Sequence, residues 1–299
     1  MVSVEERIRQ LKKEKNAVIL AHNYTSPEVQ DLADFVGDSL GLSIEAAKTA
    51  ADIIVFCGVS FMGETAKILS PDKTVLLPEP DAHCAMAAMC TAEELIEFKE
   101  QNPHVVIVGY VNSTAESKKE MDICCTSSNV VKVIESLKWD DILLVPDMNL
   151  GAYASSKTGI GIRLWHGFCP IHHGISAAQV ESLKHEYPEA FIMAHPECRA
   201  EVLALADHVG STESMLRTAK ATEKKEFIVL TEVGMRYRLE KENPGKAFHF
   251  PEHAVCTTMK MVSPGSVLSS LENGTGEIVL SRDILDGARD PVVKMIGLR

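Results

Sequence analysis

The stretch "ADFVGDS" at residues 33–39 recurs as "MDICCTS" at 121–127 and as "ADHVGST" at 206–212. The aspartates of the three copies, Asp34, Asp122 and Asp207, stand 88 and 85 residues apart, and the hydroxyl residues that close the copies keep the same two intervals. A fixed period of this length is the signature of a repeated supersecondary unit. The chain is therefore predicted to contain one unit three times.

Short apolar runs rich in β-branched residues alternate with longer helical patterns along the chain. The runs are AVILAH (17–22), DIIVFCG (52–58), KTVLLPE (73–79), VVIVGY (105–110), DILLVPD (141–147), GIRLW (161–165), AFIMAH (190–195), EFIVLTE (226–232) and AFHF (247–250). Continuous apolar runs separated by helices are typical of parallel strands buried on both faces. The predicted fold class is α/β, with three pseudo-symmetric αβα repeat domains, each a βαβαβ-like unit with a parallel sheet, around a central cavity.

Three cysteines mark the ends of the predicted units. Cys84, Cys169 and Cys256 each follow the third strand of a unit, at intervals of 85 and 87 residues. The segment after Cys256 is predicted to form helices that pack back on the first unit. The predicted domains are residues 1–84 plus 257–299, residues 85–169, and residues 170–256.

Each unit ends its first strand in two polar residues that are two positions apart. The pairs are His22 with Tyr24, Tyr110 with Asn112, and His195 with Glu197, again at intervals of 88 and 85 residues. Side chains two positions apart on a strand point to the same face. Ligands of parallel α/β sheets bind outside the carboxyl ends of the strands. The three pairs are therefore predicted to converge on one cavity.

The hydroxyl residues Ser39, Ser127 and Thr212 stand where a turn gives way to a helical pattern. A serine or threonine at such a position is by default the N-cap of the helix. A helix N-terminus that carries a hydroxyl is also an anion site, so the two interpretations are compatible. Three such sites around one cavity would bind carboxylate or phosphate oxygens without any lysine or arginine, and the polar pairs contain neither.

Three cysteines from three units allow three interpretations. Zinc sites use four ligands or three plus water, and their cysteines usually come from CxxC motifs, which this chain lacks. An iron–sulfur cubane accepts cysteines from distant parts of a chain because the cluster itself bridges them. The third interpretation is a buried structural trio. Cys125 and Cys198 are the reserve ligands, and the vicinal Cys124 and Cys125 are assigned to a turn.

Composition limits the partners of this 299-residue chain. The net charge of −12, with no cluster of lysine and arginine, argues against nucleic acid. No apolar run approaches the roughly 20 residues that span a membrane. The segment "MVSVEERIRQLKKEKN" at residues 1–16 predicts an amphipathic helix and not a signal peptide. The eight cysteines are therefore expected to stay reduced in a cytoplasmic protein.

Six stretches together resemble the quinolinate synthase family, in order and over essentially the whole chain: LAHNY (20–24), ADFVGDS (33–39), YVNST (110–114), CPIH (169–172), HPEC (195–198) and GST (210–212). The resemblance implies an enzyme, a transferase that condenses iminoaspartate with dihydroxyacetone phosphate to quinolinate, with loss of phosphate and water, in de novo NAD biosynthesis. It implies a 4Fe–4S cluster held by Cys84, Cys169 and Cys256, with one open iron acting as Lewis acid. It also implies a functional link to L-aspartate oxidase or aspartate dehydrogenase.

The resemblance and the residue chemistry together suggest individual roles. Tyr24 and His22 are predicted to transfer protons on the triose portion and to assist loss of its phosphate. Glu197 with His195 is the predicted general acid–base pair of the later dehydrations. His172 is predicted to contact substrate or to orient the cluster. The predicted substrate-binding set is His22, Ser39, Tyr110, Asn112, Ser127, His172, His195, Glu197 and Thr212.

Two other function classes compete with an enzyme. One is a non-catalytic iron–sulfur sensor or electron carrier, which would not need histidine, tyrosine and glutamate at the strand ends. The other is a cluster-free protein that binds small anions. His166 and His173, which flank the cysteine in "HGFCPIHHG" at residues 166–174, are interpreted as structural residues.

Overall fold

Three four-stranded sheets, in which every strand pairs in parallel with its neighbours, organise the chain. A computed structural model describes residues 2–137 and 141–298. The strands are, in the first sheet, β1 (Ala17–His22), β2 (Phe35–Gly37), β3 (Ile53–Cys57) and β4 (Thr74–Leu76); in the second, β5 (Val106–Tyr110), β6 (Ile123–Cys125), β7 (Ile142–Val145) and β8 (Ile162–Leu164); in the third, β9 (Phe191–Ala194), β10 (His208–Val209), β11 (Glu226–Leu230) and β12 (Ala247–His249). Each sheet has the same spatial order, in which its second strand lies at the edge beside the first, followed by the third and fourth. The predicted α/β class with three αβα units is confirmed.

Helices flank these sheets in the described residues. They are α1 (Val4–Glu14), α2 (Pro27–Leu32), α3 (Ser39–Lys48), α4 (Ser60–Leu69), α5 (Ala92–Gln101), α6 (Ala115–Lys119), α7 (Val130–Ser136), α8 (Met148–Thr158), α9 (Pro170–His173), α10 (Ala177–Glu186), α11 (Ala200–Leu203), α12 (Thr212–Ala221), α13 (Met235–Glu242), α14 (Pro264–Asn273) and α15 (Arg282–Gly297). The predicted amphipathic helix is α1, which buries Ile8 and Leu11. None of these helices has the length and apolar character that a bilayer crossing requires.

Each copy of the repeated motif contains a short strand that the sequence pattern did not predict. These strands are β2, β6 and β10, and they are only two or three residues long. A run of that length is too short to stand out as an apolar segment of four to eight residues, the pattern by which buried strands are recognised. The prediction of a βαβαβ-like unit is wrong on this point, because each unit has four strands. Cys124 and Cys125 accordingly lie in β6 and not in a turn.

The repeated aspartates tie these short strands to the centre of each sheet. Asp34 donates its backbone N–H to the carbonyl of Ile19 at 2.9 Å, and its Oδ2 accepts the N–H of Ile19 at 2.8 Å. The same two bonds, at 2.8–3.0 Å, join Asp122 to Ile107 and Asp207 to Ile192. We call Asp34, Asp122 and Asp207 the aspartate clamp. Since an unpaired strand N–H would cost free energy, the clamp explains why the motif recurs.

The units differ in how they meet. The first and second share one apolar core, which includes Phe56 on β3 and Leu144 on β7. The third has separate apolar clusters on the two faces of its sheet. Polar contacts join it to the first unit, among them Asn23 Nδ2 to Thr212 Oγ1 at 2.8 Å. The boundary between the first and third units is therefore rich in hydrogen bonds.

The two C-terminal helices pack in different places. Helix α14 lies against α1 and β3 of the first unit. Helix α15 lies between α4 of the first unit and α6 of the second. Its end is held by Asn129, whose Nδ2 donates to the carbonyls of Met295 and Leu298 at 2.9 Å each. The exact limits of the three predicted domains stay a prediction.

Candidate active site

A cavity of about 270 Å³ is lined by residues that lie at the end of the first strand of every sheet or just after it. All the residues predicted for the site line it: His22, Tyr24, Ser39, Cys84, Tyr110, Asn112, Ser127, Cys169, His172, His195, Glu197, Thr212 and Cys256. The lining residues of the described chain include four histidines and no lysine or arginine. The strand-end positions at which the three units carry different residues therefore meet in one cavity, because the carboxyl ends of the parallel sheets face one another.

The three hydroxyl residues line the cavity, but none of them is an N-cap. Asp38 caps α3 and Ser211 caps α12, so Ser39 and Thr212 are the first residues inside their helices. Ser127 lies two residues before Asn129, which precedes α7. The predicted capping role is wrong because an N-cap needs extended backbone with its side chain turned toward the helix, and the preceding residue meets that condition in α3 and α12.

A polar contact joins the three units directly behind these hydroxyls. The hydroxyl of Ser128 donates to Asp38 Oδ2 at 2.5 Å, and its oxygen lies 2.7 Å from Oγ of Ser211. Each of the three residues comes from a different unit. The contact therefore fixes the distance between the N-termini of α3 and α12 at the edge of the cavity.

Glu197 is the centre of the hydrogen-bond network in the cavity. Its Oε1 accepts the phenol proton of Tyr110 at 2.5 Å, and its Oε2 lies 2.6 Å from Nδ1 of His172 and 3.8 Å from Nδ1 of His195. Burial opposes ionisation of this carboxyl, but the neighbouring imidazoles of His172 and His195 and the hydrogen bonds from His172 and Tyr110 outweigh burial and lower its pKa. Burial, reinforced by the carboxylate, raises the pKa of Tyr110 well above its usual value. The cavity thus holds a carboxylate beside a protonated phenol.

Tyr24 belongs to a second network on the other side of His172. Its hydroxyl lies 2.7 Å from Oγ1 of Thr231, which in turn lies 2.9 Å from Nε2 of His172. Burial, together with the charge of Glu197, raises the pKa of Tyr24 well above its usual value, so its phenol is protonated. No sequence pattern singles out Thr231, because threonine after a buried strand is common.

His22 and His195 occupy equivalent positions and share one geometry. Nδ1 of each accepts a hydrogen bond from the backbone N–H two residues later, at 3.2 Å from Tyr24 and 3.4 Å from Glu197. Burial lowers the pKa of each imidazole to about 3. A neutral imidazole whose Nδ1 accepts carries its proton on Nε2. Both histidines are therefore neutral donors at Nε2.

Asn112 completes the polar pairs and has an unsatisfied atom. Its Oδ1 is buried and has no hydrogen-bond partner within the described residues. Buried polar atoms in folded proteins are nearly always paired. Since Asn112 lines the cavity, a ligand there can supply the missing donor.

Two buried carboxylates hold the loops of two of the cysteines. Asp147 accepts the backbone N–H of Cys169 at 3.2 Å, and Glu232 accepts that of Cys256 at 3.0 Å. Both acids follow the third strand of their sheets, and the repeat places Val59 at the matching position of the first unit. Sequence reasoning missed these acids because the repeat does not conserve one residue type at that position.

Two of the thiols that line the cavity, those of Cys84 and Cys169, are not set up as free nucleophiles. Burial raises the pKa of Cys84 to about 12, with contributions from Cys256 and Glu197, and it raises the pKa of Cys169 well above its usual value. A thiolate, and not a thiol, is the reactive and metal-binding form. These cysteines would therefore ionise only with a cation, such as a metal centre, beside them.

A single metal ion does not fit the geometry. Within the described residues, the only three ligand atoms close enough for one ion, within 4.8 Å of one another, come from Cys169, His172 and Glu197. His172 and Glu197 are only 2.6 Å apart, whereas two tetrahedral zinc ligands at about 2.1 Å would be separated by about 3.4 Å. The side chains of His172 and Glu197 are hydrogen-bonded to each other. The sulfur atoms of Cys84, Cys169 and Cys256 do not form such a group, so as placed they do not share one ion. Thiolates from distant parts of a chain are the ligands that an iron–sulfur cluster accepts.

The remaining sequence candidates fall outside the cavity. Cys125 and Cys198, the reserve ligands, are fully buried and do not line it. His166 is exposed, and His173 packs its ring on Phe168 with centroids 4.4 Å apart. Their interpretation as structural residues agrees with these positions.

Comparison with known proteins gives a consistent result. The family model described as "Quinolinate synthetase A protein" matches residues 6–297. The chain is 51% identical to the quinolinate synthase of Methanosarcina barkeri (strain Fusaro) over 295 residues, covering 98% of this chain and 97% of that one. It is 52% identical to the quinolinate synthase of Dehalococcoides mccartyi (strain CBDB1) over 294 residues, with 98% and 97% covered. The quinolinate synthase of Aquifex aeolicus is 46% identical over 302 residues, with 99% and 94% covered.

Proposed function

This chain belongs to the quinolinate synthetase A protein family, and from that membership we propose that it is a quinolinate synthase of NAD biosynthesis. In the proposed reaction, iminoaspartate and dihydroxyacetone phosphate condense to quinolinate with loss of phosphate and water. Both substrates are small anions, and the cavity of about 270 Å³ is of a size for them. The observation that carries the proposal is the buried Glu197, hydrogen-bonded to Tyr110 and His172 in the cavity that the three cysteines line.

Proton transfer is the first task of this arrangement. Glu197 is ionised beside the protonated Tyr110, so the pair can accept a proton at one oxygen and donate one from the other. His172 lies closer to the carboxylate than His195 does, at 2.6 Å against 3.8 Å, which makes His172 the nearer proton partner. We assign Glu197, with these histidines, to the dehydration steps.

Tyr24 and His22 form the second proton-transfer pair in the proposal. Their rings meet edge to face with centroids 4.5 Å apart, and Tyr24 keeps its proton at neutral pH. A phenol and a neutral imidazole can move a proton on the triose portion without introducing a net charge into the cavity. We assign this pair to enolisation of the triose and to protonation of the departing phosphate.

Substrate oxygens would be bound by uncharged groups. Ser39 and Thr212 present hydroxyls at the N-termini of α3 and α12, where backbone N–H groups and the helix dipole favour an anion. Tyr110, Asn112 and Ser127 would complete this set. The unpaired Oδ1 of Asn112 supports a donor on the ligand, which the imine nitrogen or a hydroxyl can supply.

Cys84, Cys169 and Cys256 would hold a 4Fe–4S cluster. When bound through three cysteines, such a cluster leaves one iron open and supplies Lewis acidity toward carboxylate and hydroxyl oxygens. Eight free cysteines suit a reducing compartment, which supports a cytoplasmic location. We further propose that L-aspartate oxidase or aspartate dehydrogenase supplies the iminoaspartate, because an imine in water must be made close to its use.

A cysteine series tests the function and the cluster together. The protein is purified without oxygen, its iron and sulfide are counted, and quinolinate and phosphate are measured after addition of iminoaspartate and dihydroxyacetone phosphate. We expect Cys84→Ala, Cys169→Ala and Cys256→Ala each to lose iron and quinolinate formation. The matched control is Cys198→Ala, which removes a buried cysteine outside the cavity and should retain both.

Two outcomes contradict the proposal. Quinolinate formation by the three iron-free variants would remove the cluster from the reaction. An iron-loaded wild-type protein that makes no quinolinate would instead support a sensor or electron carrier.

A further inference from the structure

A charged pair lies at the junction of the first and third units. Glu232 is 1% exposed and follows the third strand of its sheet. Its Oε2 accepts the N–H of Gly234 at 2.7 Å, and its Oε1 accepts the N–H of Cys256 at 3.0 Å. Nζ of Lys260 lies 2.9 Å from the same Oε1. One carboxylate thus fixes the cysteine loop and binds a lysine.

Lys260 reaches from this carboxylate to the opposite unit. Its Nζ also donates to the backbone carbonyl of Tyr24. The lysine side chain is 27% exposed, whereas its partner is almost fully buried. A charge-assisted bond in such surroundings is stronger and more directional than one at the surface. The position of Tyr24 is therefore coupled to the position of Cys256 through two side chains.

The packing around the pair indicates a site with fixed geometry. A Cβ atom on Gly234 would lie 2.5 Å from Lys260 Nζ, 2.7 Å from the carbonyl oxygen of Tyr24 and 2.8 Å from Glu232 Oε2. Only glycine fits between these three groups. Gln30 adds a buried amide that donates to the carbonyls of Asn23 and Thr25, at 3.0 and 2.9 Å, on the same turn as Tyr24.

The link has no counterpart in the other two units within residues 2–137 and 141–298. Asp147, the equivalent of Glu232, uses its second carboxylate oxygen to cap α8, accepting the N–H of Leu150 at 2.8 Å. Val59 stands at the matching position of the first unit. Among the described residues, only the acid of the third unit binds a lysine that reaches Tyr24. This contact crosses the hydrogen-bonded boundary between the first and third units.

We propose that Lys260 and Glu232 are positioning residues. They hold the loop of Cys256 and the turn of Tyr24 in a fixed position relative to each other, across the boundary between the first and third units. The inference rests on the proposed function only in taking Tyr24 and Cys256 as working residues of the site. Neither Lys260 nor Glu232 needs to touch substrate for this role. Displacement of catalytic groups by about 1 Å can cost on the order of 100-fold in rate.

The test compares Lys260→Gln, Glu232→Gln and the double variant with the conservative Lys260→Arg. The anaerobic protein is assayed for kcat and KM, for iron and sulfide per chain, and for the electron paramagnetic resonance spectrum of the reduced protein. We expect each glutamine variant to lower kcat about 10- to 100-fold with little change in KM, and to alter the spectrum. Lys260→Arg should restore most of the rate. The double variant should be no worse than either single one, because the two residues act as a unit.

The matched control is Lys241→Gln. Lys241 forms an ion pair with Asp31 at 2.6 Å across the same boundary, but both side chains are more than half exposed. Exposed pairs of this kind contribute little, so kcat and the spectrum should remain those of the wild type.

Equal losses in Lys260→Gln and Lys241→Gln would overturn the inference, because they would indicate only a weakened boundary. A wild-type kcat and spectrum in Lys260→Gln would also overturn it. If Lys260→Gln fails to fold, Lys260→Arg decides: the inference requires it to fold with the wild-type spectrum, and an altered spectrum in the folded protein rejects it. An iron-free or inactive wild-type protein would instead count against the proposed function.

Discussion

Two sets of repeated positions behave in opposite ways in this molecule. The aspartate clamp has the same residue in all three units, each with the same two bonds to an isoleucine of the central strand. The polar pairs at the strand ends have a different composition in every unit. The residue is the same in all three units where its side chain binds the backbone, because the backbone geometry is the same in each unit. The residues differ between the units where their side chains meet in one cavity, because the proposed substrates are not threefold symmetric.

The comparison predicts that the two sets fail differently. Variants at the strand ends should change turnover with little effect on folding, whereas variants of the clamp should change stability alike in all units.

Glu197→Gln should give the largest effect. Glutamine keeps the shape but cannot accept and return a proton, so we expect kcat to fall about 10²- to 10⁴-fold. Iron content should be unchanged. Quinolinate formation is measured beside that of Glu201→Gln, which alters an exposed carboxylate of the same unit and should match the wild type. Unchanged turnover in Glu197→Gln would remove the acid–base role.

Removal of one aspartate of the clamp should have the next largest effect. Asp34→Ala, Asp122→Ala and Asp207→Ala each leave a strand N–H without its acceptor, which costs about 1–3 kcal/mol of the free energy of unfolding. Urea unfolding under anaerobic conditions measures the loss. Asp122→Asn is the control, since its amide oxygen can still accept the bond. If the loss in the free energy of unfolding differed widely between the three alanine variants, the clamp would not be equivalent in the three units.

The pH dependence of stability gives the smallest effect. The folded-state pKa of His22, about 3, lies below the unfolded value of about 6.5, so only the unfolded chain gains this proton as the pH falls from 7 to 5. Stability should therefore fall over that range, by about 1–2 kcal/mol for this histidine. His22→Gln should remove its share of the slope in urea unfolding curves. His253→Gln, at an exposed position, should leave the slope unchanged, and equal slopes in His22→Gln and the wild type would contradict the burial argument.

The sequence predicts more of the candidate site than of the fold around it. The repeat located His22, Tyr110 and His195 at strand ends, because hydrophobic runs mark where buried strands stop. It missed β2, β6 and β10, because strands of two or three residues depend on partners far along the chain. None of the three hydroxyl residues is the N-cap that the pattern predicts, and at Ser39 and Thr212 the reason is that the preceding residue, Asp38 or Ser211, is an equally good capping residue.

The supporting residues of the site could not be found from the sequence. Thr231, Asp147 and Glu232 act through contacts with residues of other elements, and a pattern within one segment does not record them. Lys260 is an extreme case, since its partner Tyr24 lies near the other end of the chain. Such contacts follow from tertiary packing alone.

The distribution of the cavity residues along the chain has a consequence for the order of folding. Each sheet is built from strands that are close in sequence, so the three sheets can form one after another as the chain leaves the ribosome. The cavity, by contrast, needs His22 and Cys256 together, and Asn129 needs the carbonyls of Met295 and Leu298. Contacts of such long sequence separation form late. Any group that the three cysteines hold can therefore be inserted only after Cys256 has been synthesised, and no N-terminal fragment that ends before Cys256 can be loaded in the same way.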